Sequence, residues 1–264
     1  MRIAIKLGGS LLTEAPLLEK IVKQVIKIQS EGHEVMVVHG GGKQIKHYLE
    51  KLQIPSLFHQ GLRITDAATM EVVQMVLAGL VNKQVVAAFA AAGKPAVGMC
   101  GGDGLSFVAR KYANPEDSAS GFDYGFVGEI YQGNPALVKT LLHSHFTPVI
   151  ACIGMDSAGA YYNVNADEMA AAVAVFCEAE RLVFLTDVPG VLDSDKKVIP
   201  QLDGPAIRRL RDAGIITEGM LPKTRACERA LENGLRQIHI VGGKEPEGLA
   251  RVLLHGESLG TTMR

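Results

Sequence analysis

The stretch Ile3–Leu12, with the sequence IAIKLGGSLL, places a lysine at the end of an apolar run and two glycines shortly after it. Residues 3–5 have the composition of a short buried strand, and Lys6 stands at the carboxyl end of that strand. The predicted turn that follows contains Gly8, Gly9 and Ser10. A strand that ends in a cation and then turns on glycines is typical of an anion site.

The same arrangement occurs again at residues 34–42, where EVMVVHGGG carries a predicted buried strand into three glycines. A helix is predicted from 44 to 52, directly after the glycines. In a parallel sheet the carboxyl ends of the strands share one edge, and a helix N-terminus presents unpaired N–H groups to an anion. Two such loops could hold one phosphoryl group, although each alone could be an ordinary tight turn. Neither loop has P-loop spacing, and no GxGxxG motif follows the first strand.

Strands and helices alternate along the rest of the chain. The apolar spacing predicts helices at residues 17–29, 70–92, 165–180 and 218–233. Apolar runs that end in turn residues predict strands within residues 95–104, 147–154, 181–190 and 236–243. Repeated β-α-β units with short connections favour an α/β fold, with a mainly parallel central sheet and helices on both faces.

The composition indicates a globular protein that acts on a small ligand. With 264 residues and 47% hydrophobic content, the chain can form one large domain or two lobes that share a sheet. The 27 basic and 28 acidic residues are spread along the chain, so no basic stripe indicates nucleic acid. No apolar run approaches the ~18 residues of a membrane helix, and no signal peptide is recognised. We therefore expect a cytoplasmic protein without membrane contact.

The cysteines and histidines indicate neither disulfides nor a metal site. The four cysteines are scattered without a C-x-x-C pair, which favours reduced thiols in the core. The eight histidines show no metal-ligand spacing. His39, which lies just before the glycines of the second loop, is interpreted as structural rather than catalytic.

Eight motifs occur in an order that resembles the amino acid kinase family. They are IKLGGSLL, VVHGGGKQI, GLRITD, GFVGEI, PVIACIG, YNVNADEMAAAVA, FLTDVPGVL and EGMLPKTRACERAL. The resemblance covers essentially the whole chain, and GLRITD with YNVNAD is most similar to the branch that acts on N-acetyl-L-glutamate. It implies a three-layer αβα sandwich of two lobes that share one sheet. Residues 1–172 would bind the amino acid and form a dimer interface, and residues 173–264 would bind ATP.

The implied reaction transfers the γ-phosphoryl group of ATP to the side-chain carboxylate of N-acetyl-L-glutamate. A carboxylate with a pKa of about 4.3 is ionised at neutral pH, so no general base is needed. By resemblance, Lys6 and Lys223 stabilise the charge on the phosphoryl group and Asp167 orients both lysines. Mg²⁺ is expected to be carried by the ATP phosphates and water.

The resemblance also assigns the ligand-binding residues. Those for ATP are Lys6, Gly8, Gly9, Ser10, Thr186, Asp187, Gly190 and Lys223, and those for the amino acid are Gly41, Gly42, Arg63, Asn163 and Asn165. A planar guanidinium at Arg63 suits the α-carboxylate, because it can donate two parallel hydrogen bonds. Without the motifs, the two asparagines could equally well be interpreted as turn formers, and Asp187 could be interpreted as the cap of a turn.

Some features depart from the family pattern. Many members have proline where this chain has Lys43, and lysine where it has Gly102. The sequence begins directly at its first strand, whereas arginine-inhibited members carry an additional N-terminal helix. We therefore expect a homodimer insensitive to arginine, with helix 70–92 as the apolar interface. Two alternatives stay open: a kinase for another acylated or carrier-linked glutamate or aminoadipate, and a non-catalytic amino acid sensor.

Overall fold

The apolar runs of the sequence form the strands of one large sheet in the computed structural model, which describes residues 1–113, 121–216 and 219–264. The described strands are β1 (Arg2–Leu7), β2 (Glu34–His39), β3 (Phe58–His59), β4 (Leu62–Arg63), β5 (Ala96–Cys100), β6 (Phe107–Lys111), β7 (Val127–Gly133), β8 (Thr147–Ala151), β9 (Ile153–Met155), β10 (Tyr161–Val164), β11 (Arg181–Thr186), β12 (Gln201–Leu202), β13 (Gln237–Gly242) and β14 (Thr261–Met263). Eight of them form a sheet in the order β12-β14-β13-β11-β1-β2-β8-β5. All neighbours are parallel except β13 and β14, which confirms the mainly parallel sheet.

Helices cover the large sheet. The described α-helices are α1 (Ala15–Ser30), α2 (Gly42–Lys51), α3 (Ala67–Gln74), α4 (Asn82–Ala91), α5 (Ala136–His143), α6 (Ala166–Phe176), α7 (Gly204–Asp212), α8 (Met220–Glu232) and α9 (Glu247–His255). Every side chain from Ile3 to Leu7 of the central strand β1 is buried, so both faces of the sheet are covered. Helix α1 packs with α4 and α9, and α6 packs with α8, which gives the predicted helix-sheet-helix layers. The predicted start of α8 at Glu218 lies outside the described residues.

Residues 67–91 form one long helix, close to the prediction for 70–92. Between α3 and α4 its backbone is π-helical, over Met75–Val81. Its length and hydropathy alone would permit a membrane span, although it contains no unbroken apolar run of ~18 residues. It is the one such helix among the described residues, and one of its faces packs into the core through residues that include Val73, Leu77 and Val85.

A second, smaller set of strands was not predicted. Strands β10, β7, β6 and β9 close into a small barrel, and β3 pairs with β4 in a hairpin. The sequences FVARK of β6 and VGEIYQG of β7 are short and half exposed. They lack the apolar runs that mark the buried parallel strands, so their pairing depends on tertiary contacts.

Two further predictions can be compared with the fold. The four cysteines Cys100, Cys152, Cys177 and Cys227 are free and buried, as expected for reduced core thiols. Burial raises the pKa of the Cys152 and Cys177 thiols to about 12. The expected boundary between the lobes, after residue 172, falls inside α6.

Candidate active site

Three charged side chains from distant parts of the chain meet beneath one edge of the large sheet. Lys6 stands near the end of β1, Asp167 in the first turn of α6 and Lys223 in the first turn of α8. The Lys6 Nζ lies 2.8 Å from Asp167 Oδ1, and the Lys223 Nζ lies 2.9 Å from Asp167 Oδ2. One carboxylate therefore holds both ammonium groups, each on its own oxygen, in the arrangement that the resemblance implies.

The three groups are almost completely removed from solvent. Lys6 and Asp167 are each 8% exposed and Lys223 is 6% exposed. Burial raises the pKa of Asp167, but the positive charges of Lys6 and Lys223 lower it further, so its pKa lies below the ordinary value. Burial lowers the pKa of Lys223, and Asp167 offsets only part of that shift. With both lysines protonated the cluster carries one excess positive charge, which favours an anion.

The two glycine loops lie side by side, and the second contacts the start of α6, where a Cβ on Gly40 would lie 3.0 Å from the Ala166 Cβ. A Cβ on Gly9 would lie 3.8 Å from the Gly42 nitrogen and 4.0 Å from the Gly41 nitrogen. The Gly8 N–H donates to the Leu185 carbonyl oxygen at 2.8 Å, which attaches the first loop to the end of β11. The predicted meeting of both loops at one edge is therefore present in the fold.

The second loop leads into the N-terminus of α2, where N–H groups are available for an anion. Gly41 is the N-cap and has no side chain to cap the first turn. Among the described residues, Ile45 is the first of the helix whose N–H has a backbone acceptor, the Gly41 carbonyl at 2.9 Å. A helix N-terminus with unpaired N–H groups beside an excess positive charge is suited to phosphate.

Arg63 approaches the same loop from β4. Its Nη2 donates to the Gly42 carbonyl oxygen at 3.2 Å, and its Nη1 donates to the Ser56 hydroxyl. The guanidinium carbon lies 4.6 Å from the centre of the Phe58 ring. Each Nη keeps a second N–H, so the guanidinium can still grip a carboxylate with two hydrogen bonds. Sequence reasoning missed Ser56 and Phe58, and only their position before the GLRITD motif could have indicated them.

The two candidate asparagines have different environments. The Asn163 Nδ2 donates to the Thr65 hydroxyl at 3.2 Å, which places it near Arg63 through the loop after β4. The Asn165 side-chain oxygen caps α6 by accepting from the Asp167 and Glu168 N–H groups at 2.9 and 3.3 Å. A ligand contact by Asn165 would therefore use its amide nitrogen, while its oxygen sets the start of the helix that carries Asp167.

The candidate nucleotide residues follow β11. Thr186 is buried and its hydroxyl donates to the Asp187 carboxylate at 3.2 Å. Gly190 is tightly packed, because a Cβ there would lie 2.8 Å from the Thr261 Oγ1 and 2.9 Å from the Val198 Cγ1. In this structure Gly190 packs the loop against β14, and Thr186 lies next to the first glycine loop, with its Cα 3.5 Å from a Cβ on Gly8.

Both the sequence and the fold of this chain match known proteins. Residues 1–242 match the amino acid kinase family. The chain belongs to that family. Amino acid kinase relatives named acetylglutamate kinase include one from Koribacter versatilis (strain Ellin345), 41% identical and aligned over 100% of this chain and 98% of its own length. Another, from Methylobacterium nodulans, is 41% identical over 99% of this chain and 88% of its own length.

A solved structure gives the same result for the fold. The protein smu.665 from Streptococcus mutans UA159 superposes with a TM-score of 0.82 at 28% identity, over 99% of this chain and 98% of that one. The amino acid kinase fold is therefore shared over 99% of the chain.

Proposed function

We propose that this amino acid kinase phosphorylates N-acetyl-L-glutamate, with ATP as the phosphoryl donor. One observation supports this most strongly: a buried Lys6–Asp167–Lys223 cluster with excess positive charge lies at the same sheet edge as two glycine loops, and a guanidinium that can hold a carboxylate contacts the second loop. The identity of about 40% to full-length acetylglutamate kinases supports the choice of substrate within the family.

The reaction needs positioning and charge more than proton transfer. An oxygen of the substrate side-chain carboxylate attacks the γ-phosphorus, and the bond from phosphorus to the β–γ bridging oxygen breaks. The products are ADP and an acyl phosphate, and no proton has to move, because the nucleophile is already ionised. Negative charge spreads over the transferring group in the transition state, where fixed positive groups stabilise it.

Each residue of the cluster has a separate role in this proposal. Lys6 approaches the phosphates from β1, and Lys223 approaches them from α8. Asp167 does not touch the substrate, but its two oxygens hold the lysines in place before ATP binds. Preorganised charges of this kind stabilise the transition state without reorganising during the reaction. Backbone N–H groups near Gly9, Gly41 and Gly42 complete the phosphate cradle.

The metal ion in this proposal is Mg²⁺ carried by the ATP phosphates. Among residues 1–113, 121–216 and 219–264 no three carboxylate, histidine or cysteine side chains cluster as metal ligands. Mg²⁺ keeps several waters and commonly binds through substrate phosphates, so it does not require a protein cage. When bound, it would neutralise part of the phosphate charge.

Arg63 is the proposed anchor for the α-carboxylate, and Asn163 the neighbouring amide contact. The hydrogen bond from Arg63 to Gly42 joins the amino acid site to the phosphate loop. The two substrates would therefore meet across Gly42. Residues 1–172 form the amino acid lobe and residues 173–264 the ATP lobe in this proposal, with α6 crossing between them.

We further propose a cytoplasmic homodimer. The long helix exposes Met75 and Leu80, with 59% and 38% of their surface accessible, and a self-complementary contact would cover them. Four free, buried cysteines fit a reducing compartment, where ATP is also available.

A coupled assay of ADP release tests the substrate assignment. N-acetylglutamate, N-succinylglutamate, glutamate and aspartate are compared at equal concentrations with ATP and Mg²⁺. We expect the highest kcat/KM with N-acetylglutamate. A higher value with N-succinylglutamate would move the assignment to another acylated glutamate, and binding of N-acetylglutamate without ADP release would favour a sensor.

A further inference from the structure

A buried polar pair lies directly behind the second glycine loop, and the proposed reaction does not yet use it. His39 is the last residue of β2 and is fully buried. Asn82 is the first residue of α4 and is also fully buried. The Asn82 Nδ2 lies 3.1 Å from the His39 Nε2. A buried polar pair is costly unless its hydrogen bonds are satisfied, so its partners define its role.

The contacts of Asn82 fix which way its amide faces. Its Nδ2 lies 2.9 Å from the Val149 carbonyl oxygen and 3.1 Å from the His39 Nε2. The Lys83 ammonium donates to its Oδ1 at 3.1 Å. A carbonyl can only accept and an ammonium can only donate, so the NH₂ group faces His39 and the His39 Nε2 must accept.

This assignment determines the tautomer of His39. Burial is the main cause that lowers the His39 pKa to about 4, so the ring is neutral at pH 7 and carries one N–H. Because Nε2 accepts from Asn82, that hydrogen is on Nδ1. The Nδ1 lies 3.0 Å from the Gly40 carbonyl oxygen and therefore donates to it.

The Gly40 carbonyl sets the direction of the next N–H group. The peptide unit is planar and trans, so the C=O of Gly40 and the N–H of Gly41 point in opposite directions. With the carbonyl held toward the buried ring, the Gly41 N–H is turned to the other side, where its nitrogen lies close to the first glycine loop. No backbone acceptor within the described residues uses this N–H.

We propose that Asn82 and His39 are positioning residues that aim the Gly41 N–H at the transferring phosphoryl group. The role rests on the proposed kinase reaction, because the phosphoryl group is the acceptor of that N–H. Neither residue touches substrate: Asn82 acts through His39, and His39 acts through the Gly40 carbonyl. Loss of these hydrogen bonds would leave the Gly40–Gly41 peptide free to rotate, and the Gly41 N–H would no longer have a fixed direction.

Kinetics of His39 variants test the proposal against a matched control. His39→Leu removes the hydrogen bond to Gly40, while His39→Asn can place an amide N–H near the position of Nδ1. We expect His39→Leu to lower kcat by about tenfold or more, with partial recovery in His39→Asn and little change in KM for N-acetylglutamate. The control is His239→Leu, since His239 is also a buried histidine, bonded through Nδ1 to the Thr262 hydroxyl at 3.1 Å in β13 and β14. It should lower the melting temperature but not kcat.

Two outcomes of the His39 kinetics overturn the proposal: kcat of His39→Leu within about twofold of wild type, or equal kcat in the leucine and asparagine variants at position 39. A loss of kcat in His239→Leu as large as in His39→Leu overturns it as well, because any buried histidine would then have the same effect.

Nuclear magnetic resonance of the unaltered protein keeps the proposal testable if the variants fail to fold. Histidine ¹⁵N shifts at pH 7 should show His39 with its hydrogen on Nδ1, and the Gly41 amide in ¹⁵N-glycine-labelled protein should shift when a non-hydrolysable ATP analogue and Mg²⁺ are added. Hydrogen on Nε2, or an unmoved Gly41 amide, contradicts the proposal. Absence of ADP release by wild-type protein would instead contradict the proposed function, and the tautomer measurement would be unaffected.

Discussion

At the residue scale, the cost of burying three charges is met by their mutual contacts. An isolated buried lysine would lose its proton or destabilise the fold, but Asp167 keeps an ion pair within 3 Å of each ammonium group. The Phe184 ring adds a cation–π contact, with its centre 4.9 Å from the Lys223 Nζ. The two positive charges of the lysines exceed the one negative charge of the carboxylate, and the excess positive charge can stabilise a phosphoryl group.

Replacement of either lysine should therefore affect turnover more than binding. In Lys6→Met or Lys223→Met we expect kcat to fall by about 10²-fold or more, because the charge acts most strongly as the transition state forms. The KM for N-acetylglutamate should change much less. Steady-state kinetics measure both, with Lys20→Met as the control because Lys20 is exposed on α1. Turnover near the wild-type value in either variant would contradict the mechanism.

Arg63 should act on the other substrate. Arg63→Lys keeps the charge but loses the planar fork, so the α-carboxylate loses one charge-assisted hydrogen bond of about 1.5–3 kcal/mol. We expect the KM for N-acetylglutamate to rise about tenfold to a hundredfold, while the KM for ATP stays close to wild type. Arg251→Lys serves as a control, since Arg251 pairs with Glu257 at the surface. An equal rise in both KM values would assign Arg63 to the nucleotide or to the fold.

At the element scale, the π-helical segment Met75–Val81 fixes the second glycine loop. A Cβ on Gly41 would lie 2.7 Å from the Leu77 Cδ2 and 3.2 Å from the Val81 Cγ2. Both side chains are fully buried, so they have little room to move. The π-helical segment is thus closely packed against the loop that leads into α2. Glycine is required at position 41 because of this close packing, since its φ of 171° is open to any residue.

Gly41→Ala should consequently strain the core. Overpacking of this kind costs about 1–3 kcal/mol in the free energy of unfolding, which urea titration measures. Leu77→Ala in the same chain should relieve part of the added strain. The free energy of unfolding of the double variant should therefore fall by less than the sum of the decreases in the two single variants. Gly79→Ala is the control, because nothing lies within 4 Å of a Cβ at that position. Full stability of Gly41→Ala would show that the loop can shift freely.

At the scale of the whole molecule, the parallel sheet brings together residues that are far apart in the chain. Strand β1 lies between β2 and β11, so Lys6, the second glycine loop and Thr186 reach one edge. Helices α6 and α8 pack against each other and bring Asp167 to Lys223. The edge that carries the candidate site is thus set by the order of the strands, as is common for ligand sites in open parallel sheets.

The same scale includes the proposed dimer. In a π-helix the backbone hydrogen bonds link residue i to residue i+5. Met75 and Leu80 therefore lie one turn apart on the same side of the long helix. We expect light scattering to give about twice the mass of the 28.2 kDa chain. Met75→Glu should lower the measured mass toward that of a single chain. Leu52→Glu, which changes an exposed residue after α2, should leave the mass unchanged. A monomeric wild-type protein would contradict the interface.

Local patterns in the sequence are enough to predict the buried parallel strands, the glycine turns and the helices that follow them, because these features depend on neighbouring residues. The apolar runs of β1 and β2 and the glycines after them predicted one anion-binding edge. The order of the motifs then indicated the family and named Lys6, Asp167 and Lys223 as candidates.

The way in which those residues meet follows from the tertiary fold and not from local sequence. Lys6 and Lys223 are separated by most of the chain, so their shared contact with Asp167 depends on strand order and helix packing rather than on any local pattern. The pairing of the half-exposed strands β6 and β7 and the close packing of Leu77 on Gly41 were likewise not predictable from the sequence. Each is a contact between segments. Local periodicity predicts which face of a helix or strand is buried, but not which segment packs against that face.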